Sequence, residues 1–176
     1  MNGSLNDILP EPVSEDCEKI LVDHLKRKLR SALGVSVHIL HAMEARFGPE
    51  ARDVVRDMAE RAEYAPRPGA GDPRSDLRSF CEALDSGCVG THRWERVSDE
   101  PDRIAYHYTR CMWAEIFREL GEPELGYLLK CAGDGPAVKA YNPALGFERT
   151  QVLMEGDPLC DHVFKVESTS DGETEG

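Results

Sequence analysis

The chain has 176 residues, 40% of them hydrophobic and only 7% aromatic, and its formal net charge is −12. That length fits one domain with a sizeable core, and the aliphatic bias favours a helix-rich interior over a sandwich of aromatic strands. The negative surface repels phosphate backbones, which argues against nucleic-acid binding, and no run approaches the roughly 20 apolar residues a membrane span requires.

Residues 1–13 are polar and acidic, with Pro10 and Pro12, and read as a disordered arm. They lack the basic and apolar regions of a signal peptide, so a cytoplasmic location is expected. Ser14 offers an N-cap, and Glu15 and Asp16 suit the positive end of the helix dipole. Ile20, Leu21, Leu25 and Leu29, continued by Leu33, Val37, Leu40 and Met43 to Phe47, predict one long helix, or two if Gly34 breaks it. The basic run Lys26, Arg27, Lys28 and Arg30 reads as a solvated face. Gly48 and Pro49 form a stop and a restart, and a second helix is expected to about Tyr64. Pro66–Pro73 is a loop, a candidate hinge or lid, before a short helix over Ser75–Leu84.

The pattern then changes. Thr91–Val97 alternates polar and apolar, Ser98–Asp102 has turn chemistry, and Arg103–Tyr108 resumes with β-branched and aromatic residues, which predicts an antiparallel hairpin. A helix is expected over Cys111–Leu120 with Thr109 as its cap, and another from Pro123 to about Cys131. Ala132–Pro136 reads as a loop presenting Asp134, and strands are expected at Phe147–Met154 and His162–Val166. The expected fold class is α+β: N-terminal helices packed on a small antiparallel sheet interleaved with two helices. The layout is an arm at 1–13, a single domain at 14–166 and an acidic tail at 167–176; within the domain, 14–88 is helical and 89–166 carries the strands and motifs.

The six cysteines have no C-x-x-C pair and are expected as thiols. Cys111 stands at a predicted helix N-terminus beside Arg110, where unsatisfied N–H groups and positive charge favour a thiolate nucleophile. Cys131 precedes a glycine-flanked Asp134. Cys160 precedes Asp161 and His162, although neighbours in a strand face opposite ways. His107 alternates with Tyr106 and Tyr108 and is a candidate for facing Cys111. Each also has a plain structural reading, as buried cysteines, an Asp-Gly turn and a strand histidine.

The pieces Tyr106–Glu115 (YHYTRCMWAE), Glu119–Leu125 (ELGEPEL), Cys131–Asp134 (CAGD), Phe147–Thr150 (FERT) and Glu155–Asp161 (EGDPLCD) together resemble the L-2-amino-thiazoline-4-carboxylic acid hydrolase family. The likeness runs from about His107 to Lys165. Met112 stands where family members often have a proline after the motif cysteine. The resemblance implies hydrolysis at a cyclic amidine-like carbon, a small-molecule substrate, and Cys111, Glu115, Cys131, Asp134 and Cys160 as site positions, with Asn142 and Arg149 second in rank.

On this reading Cys111 or Cys160 attacks the ring carbon, Asp134 or His107 shuttles protons, and Arg110 or Arg149 holds a substrate carboxylate. No cofactor is expected. The alternatives are zinc or iron held by Cys111, Cys131 and Cys160 with His107 or His162, and a non-catalytic protein that binds a small ligand or forms a homo-oligomer through its helical half.

Overall fold

The structure is a computed structural model, and it describes residues 3–62, 69 and 71–167. Met1, Asn2, residues 66–68 and 70 of the Pro66–Pro73 candidate hinge and the tail from 168 lie outside the described residues, as does Tyr64 at the expected end of the second helix.

The first long helix, α1 (Glu15–Phe47), is unbroken at Gly34. Ser14 caps it by accepting from the Cys17 amide, and Gly48 ends it at φ 96°, a conformation that favours glycine. The segment ahead of α1 is tied down rather than a free arm. Ser4 Oγ and the Leu5 amide both donate to Glu18 at 2.7 Å, Asn6 brackets the Val13 backbone, and the Gly90 amide donates to Gly3. The helix α2 (Ala51–Glu60) is followed by α3 (Pro73–Cys88), whose true cap is Asp72, accepting from Ser75 N at 2.9 Å.

The hairpin forms as expected, with β1 (His92–Glu100) antiparallel to β2 (Arg103–Cys111). The strand runs straight into α4 (Met112–Glu119), so the cap position is Cys111, and Thr109 sits within β2 at a bulge opposite Arg93 and Trp94. After α5 (Pro123–Lys130) comes a helix not expected from the sequence, α6 (Asp134–Tyr141). Pro136 does not prevent it, because the first turn of a helix has no partner for its N–H groups. Beyond α6 come β3 (Leu145–Glu148) and β4 (Cys160–Val166). The expected longer strand to Met154 is cut short. Asp161 captures the Thr150 and Gln151 amides and Asp157 captures that of Val152, which turns the chain into a 3-10 turn at Leu153–Glu155.

The sheet order is β1-β2-β4-β3, antiparallel throughout, in keeping with an α+β fold. Its register puts Ile104, Tyr106 and Tyr108 opposite Phe164, His162 and Cys160 on one face. There α3 covers them, with Phe80 against Phe164 and Tyr141. On the helical side α1 packs on α2 and α4, while α5 packs on α4 and α2. Met112, Ile116, Phe117 and Leu125 are fully buried there, each contributing about 1.5–3 kcal/mol of apolar burial. Among the described residues no helix is long and apolar enough to cross a membrane.

The α4–α5 contact depends on one small residue. A Cβ built on Gly126 would lie 2.6 Å from Phe117 and 2.7 Å from the Met154 sulfur. Gly126→Ala is therefore expected to lower stability by about 1–3 kcal/mol in urea unfolding despite the better helix propensity of alanine.

Candidate functional site

The covered face of the sheet ends in a cavity of about 330 Å³. Its floor is Tyr108, Cys160 and His162 from β2 and β4. Ala83, Leu84, Gly87 and Cys88 of α3 form one wall, and Cys111, Trp113, Cys131, Asp134 and Arg149 form the other. Three chain features bring the second wall together: the β2–α4 junction places Cys111, the end of α5 places Cys131, and the first turn of α6 places Asp134.

Arg149, just past β3, is the centre of the wall's electrostatics. Its side chain is 7% exposed and lies between the rings of Tyr127 and Phe147, with Cζ 5.6 and 5.5 Å from their centroids. Nη1 donates to Asp134 Oδ2 at 2.5 Å and Nη2 to the Cys131 carbonyl at 3.2 Å. The Asp134 side chain is a third exposed and lines the cavity. Burial pushes its carboxyl up to about 6, against the opposing pull of Arg149. It is thus poised to hold or release a proton near neutral pH.

The thiols behave differently from the expectation of an activated cysteine. Burial pushes Cys111 up to about 11, outweighing the Ala114 and Trp113 amides at the helix start, which favour the thiolate. Burial also raises Cys131 and Cys160, and the Cys160 sulfur accepts from the Leu153 amide at 3.1 Å. Each of these three sulfurs is close enough to Asp134 for its charge to raise their pKa values. A resting thiolate is absent from this picture, so any attack by Cys111 needs a base to take its proton.

His92, not singled out in the sequence, stands beside Cys111. In the β1–β2 register it is the partner of Cys111, which sets same-face Cβ atoms about 5 Å apart. Thr91 Oγ1 donates its single proton to the Cys88 carbonyl at 3.0 Å, so at its 2.9 Å contact with His92 Nδ1 it accepts. In that arrangement the ring carries its proton on Nδ1 and its lone pair on Nε2. Burial lowers its pKa to about 4, which keeps it neutral. Tyr108 was also passed over. Its hydroxyl lies against the Cys88 thiol, whereas among the described residues His162 Nε2 is buried with no hydrogen-bond partner; both residues line the cavity. Native proteins rarely leave such a group unpaired, so His162 Nε2 is open to a ligand.

Cys111, Cys131, Asp134, Cys160 and Arg149 therefore share one cavity, and four other sequence candidates lie elsewhere. His107 is on the opposite face of the sheet, 40% exposed and 3.8 Å from Glu95, because alternation turns it away from Tyr106 and Tyr108. Arg110 is spent on a bidentate pair with Glu115 at 2.7 and 3.2 Å, and Lys26 of α1 joins Glu115 at 2.9 Å, so these residues clamp α4 to β2 and α1. Asn142 is buried, donating to Asp76 at 2.8 Å and accepting from the Ala144 amide, which ties α3 to the end of α6. Among the described residues no three His, Cys, Asp or Glu side chains converge as a metal-holding group, and His107 faces away from the cavity.

The family model for L-2-amino-thiazoline-4-carboxylic acid hydrolase matches residues 27–164. A search of curated proteins finds no match. Among solved structures, the phenol-responsive sensory domain of the transcription activator PoxR, determined with phenol, aligns at 14% identity and a TM-score of 0.40, over 78% of this chain and 74% of that one.

The buried imidazoles give the fold a defined acid response. His92 and His162 are lowered to about 4 and about 3, mainly by burial, from an ordinary value of 6.5. As pH falls from 6.5 towards 4 the unfolded chain binds protons that the native state refuses, so stability drops. Asp134 acts the other way, because the native state keeps its proton up to about 6 while the unfolded chain releases it near 3.8. Two histidines outweigh one aspartate, so stability is expected to fall with acid over this window. In His162→Phe the slope of unfolding free energy against pH should be shallower by about 1.4 kcal/mol per pH unit between pH 6 and 4, read by denaturant titrations. An unchanged slope would show that His162 is not buried neutral.

Proposed function

The chain belongs to the L-2-amino-thiazoline-4-carboxylic acid hydrolase family, and from that premise we propose that its cavity hydrolyses a small heterocycle at a carbon bonded to nitrogen and sulfur, such as a 2-aminothiazoline carboxylate, with Cys111 as nucleophile. The supporting observation is the convergence on one cavity of a thiol, a neutral imidazole with a free lone pair, a carboxyl near its midpoint and a buried arginine.

The chemistry follows from those groups. His92 Nε2 takes the Cys111 proton as the sulfur attacks the ring carbon. The ring C–S bond breaks, and the departing ring sulfur takes a proton from Asp134. Water, deprotonated by Asp134, then adds to the same carbon and expels the Cys111 sulfur, which recovers its proton from His92. The net change is addition of one water and release of a free thiol on the product. Arg149 holds Asp134 in place and offers its charge to a substrate carboxylate, while His162 Nε2 gains from the ring's polar edge the partner it lacks. Burial suits an uncharged ring over a highly charged ligand, since a charge there is costly unless paired. Cys160, bonded to the Leu153 amide, and Cys131, at the end of α5, shape the wall.

The test uses the purified full chain with 2-amino-thiazoline-4-carboxylate and a colorimetric thiol readout. Cys111→Ala is expected to lower kcat by about 1000-fold or more, whereas Cys160→Ala keeps most of the rate. Undiminished turnover in Cys111→Ala removes the covalent route, and loss in Cys160→Ala alone reassigns the nucleophile. Asp134→Asn should cost about 10²–10⁴-fold, and should abolish the fall in kcat/KM expected as pH rises through about 6 and the acid loses its proton.

A further inference from the structure

The longest element of the fold is the least covered. Of the 33 residues of α1, only Val37 and Leu40 are buried. The face towards the rest of the chain is drawn from Leu33, Val37 and Leu40. A second apolar stripe, Leu21, Ala32, Val35, Ile39 and Ala42, lies on another side of the helix. At 3.6 residues per turn its members fall within a sector of about 80°, centred roughly 145° from the inward face. All five are exposed, Val35 at 57%, Ile39 at 56% and Leu21 at 46%. Ala32, Val35, Ile39 and Ala42 follow the alternating three- and four-residue spacing of a coiled-coil seam. A solvated helix has no use for a second seam, because one stripe is enough to dock it on its own domain.

The pattern also identifies its occupant. Ala32-x-x-Val35-x-x-x-Ile39-x-x-Ala42 reads the same in both directions about position 37, small residues outside and branched residues inside. Two-fold pairing needs a patch complementary to itself, and this one is when two copies run antiparallel. Val35 then meets Ile39 of the second copy and Ala32 meets Ala42, each pair occurring twice, and the alanines let the backbones approach. Lys28 and Arg46, both exposed, face each other at the margins of the same register. Salt that screens this like-charged contact therefore tightens the pairing. The helix is about 50 Å long, and the Ala32–Ala42 seam contains none of the cavity-lining residues.

We infer that α1 is a self-association element: two copies of this chain pair antiparallel through the Ala32–Ala42 stripe, about a two-fold axis at the level of position 37.

The test is sedimentation of the full chain from about 1 to about 100 µM. A dimer is expected, more stable at higher salt. Val35→Glu combined with Ile39→Glu should weaken association at least about 100-fold with the far-UV circular dichroism unchanged. Should that variant lose helical signal, Ile39→Ala, which favours the helix, gives the same direction of change. Register is read by cross-linking in a Cys17→Ser background. The pair Ala32→Cys and Ala42→Cys should close a covalent dimer under mild oxidation. Ala32→Cys alone should not, because equivalent positions lie about 15 Å apart along the axis. A monomer at every concentration, which leaves the stripe to a different protein, overturns the proposal. So does a dimer indifferent to the glutamate substitutions, or efficient cross-linking of Ala32→Cys by itself.

Discussion

The pairing of β2 with β4 is the constraint from which the cavity follows. Tyr108 stands opposite Cys160 and Tyr106 opposite His162, so the floor of the cavity is assembled by backbone hydrogen bonds between segments some fifty residues apart. A slip of β4 by one residue would turn its side chains over, bringing Asp161 inward and sending His162 to solvent. Aromatic packing supports the observed register: Phe164 meets Tyr106 edge-on and packs against Phe147 and Phe80. The β1–β2 ladder then brings His92 opposite Cys111.

Burial sets the chemistry of that cavity more strongly than any local motif. It keeps both imidazoles neutral, holds the thiols protonated and lifts Asp134 towards neutrality. Arg149 is the cavity-lining guanidinium and is affordable only because it is paired with Asp134 and flanked by two rings. A helix start lowers a cysteine pKa when the thiol meets water. At Cys111 the same amides act in a dry setting, and desolvation prevails. The sequence expectation of a standing thiolate at Cys111 is therefore not met.

The family membership and this geometry bear on each other. The motif pieces that resemble the family include the ends of β2, α5 and β3, where Cys111, Cys131, Asp134 and Arg149 meet, together with Cys160 at the start of β4. Other motif residues serve the scaffold. Glu115 and Arg110 fasten α4 to β2 and α1, and Asp161 stops β3 from running on. A shared motif can therefore mark a site and the joints that hold it, and spacing alone does not separate the two roles.

Local rules were enough for the elements whose causes are local. Ser14, Gly48 and the Pro123 start bound their helices, and alternation with a turn predicted the hairpin. The α+β class followed from that order of elements. The short β3 and the ordered segment before α1 did not, because Asp157, Asp161 and Glu18 act on backbone groups whose own neighbours carry no signal of it; α6 was hidden by the glycines and proline around its first turn. The same distinction divides the site. Sequence could nominate Cys111, Cys131, Asp134, Cys160 and Arg149 by residue type and motif. Only the folded sheet, whose faces alternate and whose register is supported by distant aromatic packing, decided that these share a cavity, that His107 turns away from it, and that His92 and Tyr108 belong to it.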